Sequence, residues 1–295
     1  MEQGATGDGT LRLRDGRTLG FAEYGTPDGK PLFFFHGTPG SRTLARLFDE
    51  LARRRGVRLI APDRPGFGRS DFHPTRTFAD WPDDVAELAD ALHIERFAVA
   101  GFSGGGPYAA ACAWKLQSRL TGVAIISGVG TELLRAESGA LSRVNRALIS
   151  VARRFKPLGR VIKRVVSYAV PRMPDRILVG FLGRMPKPDR EILERPEVEA
   201  TLAEDLREAF RGGADGAAHE LELLTSPWDF DPAEVKMPVF LWHGEADESV
   251  LAESGRMLAA QIPDCRPVFI EHAGHFAIVD LMDEVTEALF PEDRA

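Results

Sequence analysis

The stretch Arg96–Trp114 limits what this chain can fold into more than any other. Phe97–Ala100 is a short apolar run suited to a buried strand, and from Gly104 onward alanines recur at helical spacing. Between the two lies Gly101-Phe102-Ser103-Gly104-Gly105. Small residues two before and two after the serine allow a sharp strand-to-helix turn, where a side chain would collide with neighbouring backbone. Such a turn presents Ser103 as a nucleophile at the head of a helix and leaves the Gly104 amide free to donate to an oxyanion beside it. The competing reading is a glycine-rich turn without chemistry. A serine hydroxyl is a poor nucleophile near neutral pH, so the chemical reading needs a histidine base and an acid to orient it.

The flanking sequence alternates strand and helix. Thr10–Leu13 and Thr18–Tyr24 surround Arg14-Asp15-Gly16-Arg17, which predicts an opening hairpin. Pro31–His36 reads as a strand buried on both faces, ending at Gly37-Thr38-Pro39-Gly40, after which Ser41 caps a helix reaching Arg55. Val57–Ala61 predicts a strand, Phe78–Leu92 a helix and Thr121–Ser127 another buried strand. The alternation lapses over residues 131–230 and resumes with a strand at Met237–Trp242, a helix at Leu251–Ile262, a strand at Arg266–Ile270 and a final helix ending at Leu289. This order predicts a mostly parallel sheet covered on both faces. The core is expected to comprise residues 1–130 and 231–295, with residues 131–230 as a helical cap. Within that cap, an arginine-rich first half (Arg143 to Arg164) precedes an acidic second half (Glu191 to Glu208). Either the two pack together or both are solvated faces.

At 295 residues one large core is expected, and the formal charge of −7 argues against nucleic acid as a partner. The two cysteines, Cys112 and Cys265, read as small buried apolar residues, and no Cys/His cluster has metal spacing, so neither metal nor cofactor is expected. The polar N-terminus is not a secretory signal and no apolar run approaches a membrane span, which makes a soluble, cytoplasmic protein without stable membrane association the expectation. The composition leaves the oligomeric state open.

In an open parallel sheet, ligands bind where loops leave the carboxyl ends of the strands. Ser103, Asp247 and His275 each follow the end of a predicted strand, so one rim can collect all three. The motifs His36-Gly37-Thr38-Pro39-Gly40, Asp63-Arg64-Pro65-Gly66-Phe67-Gly68-Arg69-Ser70, Gly101-Phe102-Ser103-Gly104-Gly105, Gly244-Glu245-Ala246-Asp247 and Gly274-His275, in that order, resemble the α/β-hydrolase superfamily. The resemblance implies an α/β-hydrolase fold: an eight-stranded, mostly parallel sheet with a helical lid inserted after the sixth strand. It also implies Ser103 as nucleophile, His275 as base and Asp247 as acid, with the amides of Thr38 and Gly104 as the oxyanion hole. His36, Gly37, Phe102 and Tyr108 are the expected pocket residues, with core packing an equal reading for Phe102 and Tyr108 and a structural hydrogen-bonding role for His36.

The expected activity is cleavage of a small-molecule carboxylic ester through an acyl-enzyme. A carboxylate in place of Ser103 would suit epoxide or haloalkane hydrolysis, which this chain therefore does not favour. The His-Gly-x-Pro-Gly string is also similar to that of proline iminopeptidases, for which Glu204, Asp205 and Glu208 are the lid acids available to hold a substrate amine. A small-molecule receptor or a lyase using the same histidine is the non-hydrolytic alternative.

Overall fold

The computed structural model describes residues 2–3, 7–131, 165–180 and 185–291. Its sheet opens antiparallel, with β1 (Glu2–Gln3), β2 (Asp8–Arg12) and β3 (Thr18–Gly25). The next strand in space is β5 (Val57–Pro62), antiparallel to β3. Then β4 (Lys30–Phe35), β6 (Phe97–Phe102), β7 (Leu120–Ile126), β8 (Val239–Gly244) and β9 (Cys265–Ile270) follow in parallel. The order β1-β2-β3-β5-β4-β6-β7-β8-β9 contains the expected eight strands and adds the two-residue edge strand β1.

Helices α1 (Asp49–Arg54) and α9 (Ile278–Leu289) cover one face, while α2 (Trp81–Ala91), α3 (Gly106–Lys115) and α8 (Ala252–Gln261) cover the other. The residues of β4 show why this strand is central. Successive side chains point to opposite faces, so Phe33 and Phe35 enter one core and Leu32 and Phe34 the other. In β6, Phe97 and Val99 divide from Ala98, Ala100 and Phe102 in the same way. The segment predicted as one helix from Ser41 is a 3-10 turn, Arg42–Phe48, running into α1, with the Ser41 hydroxyl accepting from the Thr43 amide.

Between β7 and β8 the described residues form helices and no strand. These are α4 (Asp175–Gly180), α5 (Lys187–Leu193), α6 (Pro196–Ala209) and α7 (Asp215–Leu224). The arginine-rich half of this segment lies outside the described residues up to residue 164. Its acidic half pairs with arginines of the sheet domain: Glu204 with Arg46 and Glu208 with Arg42. The chain rejoins the sheet through Trp228 and Phe230, whose rings stack at 5.0 Å and reach Phe78 and Trp114. Among the described residues no helix is long and apolar enough to cross a membrane, no Cys/His/Asp/Glu group could hold a metal, and Cys112 and Cys265 are free.

Candidate active site

The turn between β6 and α3 puts Ser103 at φ 52°, in the left-handed region, a conformation that costs a non-glycine residue on the order of 1–3 kcal/mol. The flanking glycines are required by space as the sequence suggests. A Cβ on Gly101 would overlap the Gly105 carbonyl, and one on Gly105 would overlap the Phe35 carbonyl. The turn thereby lifts the serine hydroxyl out of the sheet, with Ser103 only 8% exposed.

His275 begins the 3-10 turn His275–Ala277, which leads into α9, and its Nε2 lies 3.0 Å from Ser103 Oγ. Its Nδ1 lies 2.7 Å from Asp247 Oδ2. An ionised carboxylate can only accept, so Nδ1 carries the proton and donates it, leaving the Nε2 lone pair to face the serine hydroxyl. Asp247 Oδ1 accepts from the amides of Ser249 and Val250 at 2.8 and 2.9 Å, which fixes the carboxylate plane. Burial pushes the Asp247 carboxyl up, but the neighbouring His275 and hydrogen bonds from His243 and His275 outweigh it and hold the group well below the usual carboxylate range. For His275, burial favours the neutral ring, yet the charge of Asp247 and its hydrogen bond win and raise the imidazole above its ordinary value.

The other histidines and acids of these two strand-end segments are placed elsewhere. His272 is exposed, Glu248 is exposed, and Glu245 pairs with Arg256. His243 is buried, with Nε2 2.8 Å from the Val250 carbonyl and 3.4 Å from Asp247 Oδ2, so it braces the acid's loop. Phe102 packs its ring 5.1 Å from that of His275. His36 uses both ring nitrogens on backbone, at Gly37 O and Arg64 N, and Gly37 lies over Phe102 and Ser103. Tyr108 takes the core-packing alternative: it is fully buried, and its hydroxyl donates to Glu220 at 2.6 Å and accepts from Arg76.

Two supports of the histidine loop went unread in the sequence. Ser127 donates its hydroxyl to the His275 carbonyl at 3.2 Å. Asp189 of α5 accepts the amides of His275 at 3.0 Å and Phe276 at 2.7 Å, so a helix of the insertion grips the loop that carries the imidazole. Asp189→Ala leaves two buried donors unpaired at roughly 1–3 kcal/mol each. The expected outcome is a lower thermal midpoint together with a fall in turnover on the order of 10–100-fold, since small misplacements of a reacting group cost that much. A variant with wild-type midpoint and turnover would show that the grip is dispensable.

A strained serine at a strand-to-helix turn, an imidazole within hydrogen-bond reach and a carboxylate behind it lie together on a doubly covered parallel sheet. The chain belongs to the α/β hydrolase fold family, whose sequence profile it matches over residues 30–280. It is similar to Lipase 1 of Psychrobacter immobilis, 24% identical over 94% of this chain and 81% of that protein. The bifunctional esterase/perhydrolase of Acinetobacter calcoaceticus is 25% identical over 86% of this chain and 87% of that one. Among solved structures, the esterase RhEst1 from Rhodococcus sp. ECU1013 superposes with a TM-score of 0.70 at 20% identity, covering 96% of this chain and 98% of the other.

Proposed function

We propose that this protein is a serine hydrolase that cleaves a carboxylic ester of a small molecule through an acyl-enzyme on Ser103. The observation that carries the reading is the continuous hydrogen-bonded line from Ser103 Oγ through both nitrogens of His275 to Asp247. His275 Nε2 takes the hydroxyl proton as Oγ bonds to the carbonyl carbon, and Asp247 stabilises the imidazolium. The amides of Thr38 and Gly104 receive the charge that builds on the carbonyl oxygen, each such donor being worth about 3 kcal/mol in the transition state. The imidazolium returns its proton to the departing alcohol as the carbon–oxygen bond breaks. Water then attacks the acyl group with the same base, and Ser103 is released. Residues 131–230 act as a cap over this rim.

The lid acids considered for an aminopeptidase are already engaged. Glu204 pairs with Arg46, Glu208 with Arg42, and Asp205 accepts from the Ser41 amide and hydroxyl and from the Leu44 amide. A peptide amine would have to displace these bonds, which favours an ester over an amino-terminal peptide. The test is a panel of short-chain 4-nitrophenyl esters beside a prolyl-naphthylamide, with mass analysis after fluorophosphonate treatment. Ester turnover with the label on Ser103 is expected, whereas turnover of the naphthylamide alone would replace the reading with the peptidase one. A labelled serine without turnover of any substrate would favour a receptor.

A further inference from the structure

The strand-end loop that supplies Thr38 is held from behind by a buried guanidinium. Arg64 and Glu220 are both fully buried and paired, with Arg64 Nε 3.0 Å and Nη2 2.9 Å from Glu220 Oε1. Arg64 spends its remaining donors on the loop: Nη1 on the His36 carbonyl, and Nη2 on the Gly37 carbonyl at 3.0 Å and on Thr38 Oγ1 at 2.7 Å. The His36 ring adds Nδ1 to the Gly37 carbonyl at 2.8 Å.

This arrangement determines where the next amide points. The Gly37–Thr38 peptide is trans, and in a trans peptide the N–H lies opposite the carbonyl. With the Gly37 carbonyl turned toward Arg64 and His36, the Thr38 N–H faces the other way. A Cβ on Gly104 would overlap Thr38 Oγ1 and lie 3.4 Å from Thr38 N, so the two amides come from residues in contact. No acceptor among the described residues takes the Thr38 N–H. A guanidinium suits the task because its rigid fork can address two carbonyls and a carboxylate at once. Glu220, on α7 of the insertion, secures that fork, while its second oxygen takes Arg76 and Tyr108 at 2.6 Å.

We propose that Arg64, anchored by Glu220, is a positioning residue that aims the Thr38 amide at the carbonyl oxygen of the bound acyl group, making α7 part of the oxyanion hole's support. The assignment rests on the ester-cleaving reading above. It is tested with Arg64→Met, in which Glu220 keeps Arg76 as a partner, and with Glu220→Gln, in which Arg64 loses its anchor. Both are assayed on 4-nitrophenyl acetate and its thiono analogue beside wild type and Ser103→Ala. Turnover of the acetate is expected to fall on the order of 10–100-fold with KM little changed, because one oxyanion donor is misaligned. The ratio of ester to thionoester rates falls with it, since sulfur accepts hydrogen bonds weakly and gains less from an aligned donor. Loss of folded enzyme lowers both rates equally, so the ratio separates positioning from stability. An unchanged ratio in Arg64→Met overturns the assignment, and Arg64→Lys, which keeps the charge without the fork, takes its place if the methionine variant fails to fold. If wild type hydrolyses no ester, or Ser103→Ala still does, the ester reading fails instead. A crystal structure of the Arg64 variant then tests the positioning alone: a rotated Gly37–Thr38 peptide shows that Arg64 sets the Thr38 amide, and an unmoved one overturns the assignment.

Discussion

Ser103→Ala is expected to lower turnover of a 4-nitrophenyl ester by on the order of 10⁶-fold, and His275→Ala by a similar factor. The double variant should lose little more than either alone. The reason is geometric: with Ser103 Oγ 3.0 Å from His275 Nε2, neither group performs its step without the other. Removing the hydroxyl leaves nothing for the base to deprotonate, and removing the base leaves a neutral alcohol. On the proposed mechanism substrate binding and the Thr38 and Gly104 amides would supply the residual rate, so it should remain above that of water. Steady-state kinetics at saturating ester, with intact-mass analysis for the acyl-enzyme, measures both variants. Independent losses that multiply in the double variant, or a Ser103→Ala protein with ordinary esterase rates, would mean that the nucleophile lies elsewhere.

The parts of this site that the sequence revealed are those whose local geometry demands particular residues. Gly101 and Gly105 are legible because backbone carbonyls crowd the positions where their side chains would be. Asp247 and His275 are legible because each follows a strand at the sheet's carboxyl edge, where register and loop order leave few choices. Among the buried acids of the insertion, Asp205 reads from charge alone as part of a solvated face or as an amine ligand, and Asp189 and Glu220 do not stand out at all, since charge does not tell which way a helix turns. Their spacing does carry the information. Glu220 stands with Gly216 and Leu224 on the buried stripe of α7, four residues from each, and Asp205 lies on the buried stripe of α6 with Val198, Leu202 and Leu206. Asp189 is likewise three and four residues before Ile192 and Leu193 in α5.

An acid on an apolar stripe is costly to bury and therefore implies waiting donors. Each of these three finds them on the sheet domain: Asp189 on the histidine turn, Asp205 at Ser41 and Glu220 at Arg64 and Arg76. Burial dominates at Asp205, whose carboxyl is pushed up to about 7, whereas at Glu220 burial is outweighed by Arg64 and Arg76 and the carboxyl stays below its ordinary value. The partners of these acids are long-range in sequence, so an unaligned chain could not name them.

Asp247→Asn should cost about 10⁴-fold in turnover while leaving the fold in place. Each group that meets this carboxylate on the catalytic side is a donor: the amides of Ser249 and Val250 at Oδ1, and His275 Nδ1 at Oδ2. A carboxamide has one accepting oxygen, which the two backbone amides claim, so its NH₂ is turned toward His275. The ring must then accept at Nδ1 and carry its proton on Nε2, the atom that faces Ser103, where it cannot receive the hydroxyl proton. The pH profile should change in a direction the electrostatics fix. The Asp247 charge raises the His275 imidazole, and in the proposed mechanism only the neutral ring acts as base, so wild-type kcat/KM is expected to fall as pH drops through a value above that of free imidazole. Without that charge the acid limb of Asp247→Asn moves to lower pH. Measuring kcat/KM against pH for both proteins tests the two effects together. Turnover within tenfold of wild type with an unmoved acid limb would show that Asp247 neither sets the tautomer nor carries the counter-charge.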